Sequence, residues 1–293
     1  TLEIVVGDTQ TKPQPGIDAA QKLVSIQNVS GIVGALSSGV TIPVAQSVTK
    51  SAGVPQISPA STSPVITSLD DNDFLFRSVP SDAFQGVALA QVVSEKGYSN
   101  VAVLYVNNDY GEGLAESFGQ AFSKTGGQVS AALPYEPGNA SYRGELSKAS
   151  SKGAEALLLI GYPENGVTIL RQALEEGYFQ EFVYTDGLKA PEIIEAIGGK
   201  YLNGSFGTAP QAMSDTDSAK NYLAAYKDMF GEVPPKPFID TSYDAAYVLA
   251  LAVQKAGTTD SRAVRDALRE VANAPGVKVL PGEWAKAVKL LAE

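Results

Sequence analysis

Ala156-Leu-Leu-Leu-Ile160 is a run of five apolar residues without the polar alternation of a half-exposed strand, and helix-length amphipathic stretches lie on either side of it. A strand of this kind has to be covered on both faces, which is the position of a strand in a parallel sheet flanked by helices. The same rhythm runs along much of the chain. Strands are expected at Leu2–Val6, Gly31–Leu36, Val54–Ser58 and Phe74–Val79, with a helix carrying Ile17, Ala20 and Leu23 after the first and a helix over Val40–Ser51 after the second. The pattern then restarts: helix Asp82–Lys96, strand Asn100–Val106, helix Tyr110–Lys124, strand Gln128–Tyr135, helix Tyr142–Ser151, strand Ala154–Ile160, helix Asn165–Glu176 and strand Phe182–Thr185. After one more strand at Asn203–Pro210 the chain turns helical, over Asp217–Phe230, Phe238–Ala256, Ser261–Asn273 and Gly282–Leu291, with the stiff segment Val233–Pro237 between the first two. The class is α/β with doubly wound parallel sheets, and 293 residues suffice for about two domains.

Two zeros in the composition exclude much chemistry. Without histidine or cysteine there is no Ser-His-Asp triad, thiol nucleophile, HExxH or CxxC zinc site, or disulfide. The 22 basic against 32 acidic residues leave a net charge of −10, which argues against nucleic acid as a partner, since phosphate contacts need a basic face. Apolar stretches such as that within Ala154–Gly161 are far below the ~20 residues of a membrane span. No signal peptide opens the chain, as expected if one has been cleaved on export. Gly111-Glu-Gly113 lacks the third glycine of a dinucleotide fingerprint, no P-loop occurs, and Asp70-Asp71-Asn72-Asp73 reads as a solvated acidic turn. No metal and no cofactor is expected.

Ligands of open parallel sheets bind beyond the carboxyl ends of the strands. Those positions hold Ser37-Ser38-Gly39-Val40-Thr41 and Ser58-Pro59-Ala60-Ser61-Thr62-Ser63-Pro64 in the first series. In the second they hold Asn107–Gly111, Gly161–Glu164 and Thr185-Asp186-Gly187. The first set offers hydroxyls, free N–H groups and a helix N-terminus, which suit an anion. The second offers carboxylates and tyrosines, which suit an ammonium. Opposed across one cleft, the two sets fit a zwitterion, of which an α-amino acid is the simplest. Each group also has a plain structural reading: Ser37, Ser38 and Thr41 as helix caps, Tyr110 and Tyr162 as packed aromatics, Asp186-Gly187 as a turn.

Several ordered motifs resemble the leucine/isoleucine/valine-type substrate-binding proteins of ABC importers. They are Gly31–Gly34 through Ser37-Ser38, Ala60–Pro64, Phe76-Arg77 with Asp82–Gly86, Asp109–Gly113, Gly161–Glu164, Asp240–Asp244 and Val271–Trp284. The resemblance spans nearly the whole chain. It implies the type I periplasmic binding protein fold: two α/β lobes, residues 1–80 with 207–293 and residues 81–206, joined by hinge crossovers near Val79–Asp82 and Ser205–Ala209. It further implies that Ser38, Ala60 and Thr62, with Ser61 beside them, hold a ligand carboxylate. Asp186 and Tyr110 would meet the ammonium, with Tyr162 lining the site and Phe84 a candidate for side-chain selectivity. Asp186 stands where some leucine-type members carry the longer Glu. Members of the group have a strand and helix before the position of Leu2 and strands after that of Glu293, so this chain is expected to be a portion of a longer protein.

The function expected from this is non-enzymatic capture of a small, branched-chain or aliphatic amino acid by lobe closure, by a monomer outside the cytoplasm that delivers it to an ABC permease. Alternatives are a ligand-sensing domain of the same fold, a binder of an aromatic carboxylate or amide, and a carboxylate-only enzyme built on Glu164 or Asp186.

Overall fold

Strands β1 (Ile32–Val33), β2 (Gln56–Ser58) and β3 (Leu75–Arg77) form a parallel sheet in the order β1-β2-β3 in this computed structural model, which describes residues 2–211 and 213–292. A second parallel sheet holds β4 (Asn100–Val106), β5 (Gln128–Tyr135), β6 (Ala156–Ile160), β7 (Phe182–Tyr184) and β8 (Phe206–Gly207) in the order β5-β4-β6-β7-β8. The chain steps outward from β4 to β5 and then returns to β4's other side for β6. This reversal is the mark of a doubly wound sheet and leaves a crevice at the strand ends.

Burial follows position in the sheet. All five residues of the interior strand β6 are buried, as their unbroken apolar run requires. The edge strand β5 alternates between exposed and covered residues and tolerates Pro134, whose missing N–H costs least where no second neighbour waits for it. Helices α5 (Asp82–Glu95) and α6 (Asp109–Lys124) cover this sheet with Leu89, Val93, Leu114, Phe118 and Phe122. They cross closely at Gly86, where a Cβ would stand 2.7 Å from the backbone of Ser117 and Phe118. Helices α7 (Arg143–Ser150) and α8 (Pro163–Glu175) contribute Leu146, Ile169 and Leu170 to the same core.

The smaller sheet is covered differently. Helix α1 (Pro13–Ser25) packs Ala20 against Val40, Val44 and Val48 of the next helical segment. That segment runs as α2 (Ser38–Val44), a π-turn over Ala45–Thr49 and α3 (Lys50–Ala52), so the expected helix forms with its hydrogen-bond ladder shifted just after Pro43. After the short α4 (Val65–Ser68) and, much later, α9 (Pro191–Ile197) and α10 (Asp217–Phe230), the chain returns to this sheet. There α11 (Ile239–Ala256) and α12 (Ser261–Ala272) pack Ala245, Ala252, Val264 and Leu268 against Ile57 of β2. On α13 (Trp284–Ala292) Trp284 stands edge-on to Tyr247 at 5.7 Å.

The expected strands Gly31–Leu36 and Phe74–Val79 shorten to β1 and β3, and two others also differ. Leu2–Val6 is largely exposed and joins no ladder, because among the described residues no strand lies beside it to take its N–H and C=O groups. Asn203–Pro210 is reduced to the two residues of β8, the only ones in that stretch that pair with β7.

Candidate functional site

The first element of the site is the start of α2. Ser38 and Gly39 occupy its first two positions, where N–H groups have no acceptor within the helix. Ser37 has extended N-cap dihedrals, yet its side chain caps nothing. Its hydroxyl lies instead 2.9 Å from the Tyr162 hydroxyl. The Ser38 hydroxyl accepts from Ser63 N at 3.2 Å, and Thr41 donates to Ala35 O at 3.0 Å. The capping role open to all three in the sequence is therefore not the one they take. The helix N-terminus keeps donors and a partial positive charge for something else.

The loop after β2 is the second element, and its polar side chains turn inward. Ser61 Oγ lies 3.0 Å from Leu36 O and 2.8 Å from Thr41 Oγ1, while Ser61 N donates to Ser58 Oγ at 2.9 Å. Thr62 Oγ1 donates to Asp82 Oδ2 at 2.8 Å, and Asp82 N returns a bond to Thr62 O at 2.8 Å. Arg77 reaches across from β3 and donates to Thr62 O at 3.2 Å and Ser63 O at 2.9 Å. Every hydroxyl from Ser58 to Ser63 is buried. Together these bonds, each worth about 1 kcal/mol net, hold the loop in one shape.

The third element comes from the five-stranded sheet. Asn108 caps α6 by accepting from Tyr110 N and Gly111 N, at 3.1 and 3.0 Å, and so places Tyr110 on the first turn. Tyr162 precedes α8, and the two tyrosine rings stack with centroids 5.6 Å apart and planes 23° from parallel. A single 3-10 turn, Asp186–Leu188, follows β7 and brings Asp186 to this pair. Tyr110 OH lies 2.9 Å from Asp186 Oδ1, and Gln85 Nε2 of α5 donates to the same oxygen at 2.8 Å. Burial raises the Asp186 carboxyl above its ordinary pKa, and the bonds from Tyr110 and Gln85 pull it part of the way back. Burial likewise pushes Tyr162 up to about 12, so it acts as a neutral hydroxyl.

These elements enclose a cavity of about 550 Å³. Ser38, Ala60, Tyr110, Tyr162 and Asp186 line it together, as do Leu36, Ser37 and Glu164. Ser61 and Thr62 lie behind that lining, fully buried, with their hydroxyls engaged as described. Phe84 is 73% exposed on α5 and does not reach the cavity. Ala83 and Phe84 together form the exposed face of this turn, between the buried pairs Ser81-Asp82 and Gln85-Gly86.

Part of the lining was not foreseen. Tyr226 of α10 and Pro234, Lys236, Pro237, Phe238 and Ile239 from the connection into α11 close one side. The proline-rich segment between those helices is a wall of the cavity as well as a break, and its stiffness with flanking aromatics was the available signal. Gln85 was also missed, since nothing local relates a helix glutamine to a carboxylate 101 residues away. A larger open groove of about 850 Å³ runs along edge strand β5 between α6 and α7 and contains none of the expected site residues.

A family model described as "Periplasmic binding protein" matches residues 1–286. The leucine-, isoleucine-, valine-, threonine- and alanine-binding protein of Pseudomonas aeruginosa is 30% identical over 270 residues, covering 92% of this chain and 71% of that protein. The crystal structure of a leucine-binding protein from Thermotoga maritima superposes with a TM-score of 0.82 at 30% identity, over 91% of this chain and 76% of that one. The branched-chain amino acid transporter substrate-binding protein of Streptococcus pneumoniae, in complex with isoleucine, superposes with a TM-score of 0.77 at 27% identity, over 92% and 76% of the two chains.

Proposed function

This chain belongs to the periplasmic binding protein family, and from that premise we propose that it captures an α-amino acid with a branched or aliphatic side chain. One observation carries the reading. The carboxyl-bearing Asp186 and Ser38, the first residue of α2 with no acceptor in the helix for its N–H, line the same cavity, an acceptor facing a donor. A zwitterion satisfies both: its carboxylate against Ser38 and the first turn of α2, its ammonium against Asp186 beside Tyr110. Ala60 and Tyr162 complete the lining, and Ser61 and Thr62 act behind it by holding the loop that carries Ala60. The apolar part of the ligand lies toward Leu36, Pro237 and Phe238.

The two sheets with their helices act as two lobes, residues 1–80 with 207–293 and residues 81–206, closing on the ligand about the crossovers near Val79–Asp82 and Ser205–Ala209. Closure excludes water and completes the contacts, a hinge motion of known type. The chain binds without converting its ligand: Asp186 is fixed by two donors and not poised for proton transfer. In this reading it works as a monomer outside the cytoplasm and hands its ligand to an ABC permease.

Calorimetry against the twenty amino acids, together with 4-methylpentanoate (leucine without its ammonium), tests the reading. Selective binding of leucine, isoleucine or valine is the expected result. Failure of every amino acid to bind, or equal binding of 4-methylpentanoate, would overturn it.

A further inference from the structure

Behind Asp186 lies a second carboxylate for which the proposed capture step so far has no use. Asp82, in the first turn of α5, has no measurable exposure. Its Oδ2 accepts from Thr62, but its Oδ1 has no partner. Three residues along the same helix, Gln85 Oε1 is another buried acceptor without a donor, while Gln85 Nε2 spends its protons on Asp186 Oδ1 and Thr208 O at 2.8 and 3.0 Å. The region is short of protons.

Charge points the same way. The charged groups acting on Asp82 are Asp186, from the turn after β7, and Arg77, from β3. Arg77 aims its guanidinium at the carbonyls of Thr62 and Ser63 and makes no ion pair with Asp82. Tyr110 of α6 and Tyr162 before α8, the titratable groups stacked beside Asp186, are both held neutral by burial. Two ionised carboxylates against one guanidinium leave an uncompensated negative charge in a buried place, a cost of several kcal/mol. The N-terminus of α5 returns only about 0.3–1 kcal/mol. The site needs one more positive charge when empty, and the ligand's ammonium brings one.

We infer that Asp82 is a charge-compensating, specificity-determining residue of the ammonium subsite, holding a proton while the cavity lacks a cation and releasing it to solvent when an ammonium settles at Asp186. The inference rests on the amino-acid reading above. In the exchange the Asp82 O–H bond breaks, the proton passes to bulk water, and the carboxylate keeps the Thr62 hydroxyl bond. The ammonium subsite, empty or filled, then carries the same net charge, and the ligand's own carboxylate is met separately at α2. A neutral ligand finds no gain at Asp82, so the pair of carboxylates favours cationic ligands beyond what Asp186 does alone. Burial and the nearby Asp186 push the Asp82 carboxyl up to about 8, which sets the pH range in which the exchange operates.

Two measurements test this. In the ligand-free protein, the side-chain carboxyl carbon of Asp82, assigned by comparison with Asp82→Asn, is expected to titrate above pH 7 by ¹³C NMR; titration near the ordinary aspartate value of about 4 overturns the proposal. Calorimetry of L-leucine at pH 7 in buffers of different ionisation enthalpy is expected to show about one proton released per leucine, and affinity falling by up to about tenfold per pH unit below pH 8. In Asp82→Asn the release and the pH dependence both vanish. Leucine binding without proton release, or release that survives Asp82→Asn, overturns the proposal while leaving the amino-acid reading intact. If leucine does not bind, that reading falls, and the NMR titration still decides whether Asp82 holds the proton.

Discussion

The Ser37 hydroxyl stands 2.9 Å from the Tyr162 hydroxyl, although 125 positions separate the two residues. One lies between β1 and α2, the other between β6 and α8, so a single hydrogen bond spans the mouth of the cavity from one sheet's loops to the other's. Ser37→Ala removes this bond, and Tyr162→Phe removes it together with the interaction of the Tyr162 hydroxyl with Asn108. With about 1 kcal/mol at stake, leucine affinity should fall about fivefold in either variant, mainly through faster dissociation. The double variant should fall no further than Tyr162→Phe alone. Additive losses in a double-mutant cycle would mean that the hydroxyls act separately.

Asp186→Ala removes the acceptor that Tyr110 and Gln85 hold in place. Leucine should lose about 100-fold or more in affinity, the scale of a charge-assisted hydrogen bond broken in a buried site. Binding of 4-methylpentanoate should change by less than about threefold or improve, because its carboxylate meets α2 and it has no ammonium to place. Parallel calorimetry of the two ligands checks this, and equal losses would take the ammonium role from Asp186.

The legibility of these residues in the sequence followed their locality. The buried run of β6 and the reversal at β4 rest on local pattern and on the chirality of crossovers, so most strands of the larger sheet appear where periodicity places them. The placing of loops at strand ends also singled out Ser38, Ala60, Tyr110, Tyr162 and Asp186, which line one cavity at the strand ends of the two sheets. What Ser37 does with its hydroxyl was not visible, because a serine before a helix looks the same whether it caps or points elsewhere. Ser61 and Thr62 resembled ligand donors for the same reason, and only the positions of Thr41 and Asp82 show their hydroxyls already taken. Leu2–Val6 has the composition of a strand, but pairing needs a neighbour, which composition does not supply.

Gly187 connects backbone packing to the same hydroxyl network. A Cβ at this position would stand 2.3 Å from Gly161 O and 3.1 Å from Tyr110 OH. The first contact is with backbone and cannot be relieved by a rotamer change, so the turn after β7 must move. Gly187→Ala should cost about 1–3 kcal/mol of stability, as overpacking of a tight site does. It should also weaken leucine binding, because the displaced turn carries Asp186. Denaturant titration and calorimetry on one preparation check both effects. A variant as stable as the parent with unaltered affinity would show that the turn has room that its geometry denies.

Asp82→Asn should stabilise the ligand-free protein, and by more at pH 8 than at pH 5. The Asp82 carboxyl titrates at about 8 in the folded protein and near 3.9 in the unfolded chain. Between those values the folded state binds more protons than the unfolded state, so this group's contribution to stability falls as pH rises through the window. Below pH 4 the side chain is protonated in both states and costs nothing extra. Asparagine does not titrate; its carbonyl can still accept from Thr62, and its amide supplies a donor where Oδ1 has no partner. The gain at pH 8 should be on the order of 2–4 kcal/mol, less than the full linkage because a relaxing site admits some water. Denaturant titrations of parent and variant at pH 5, 6.5 and 8 read it directly. A difference that stays flat across that range would place the Asp82 titration below it, whereas a difference widening with pH means that the folded parent holds on its buried carboxyl a proton that the unfolded chain has already lost.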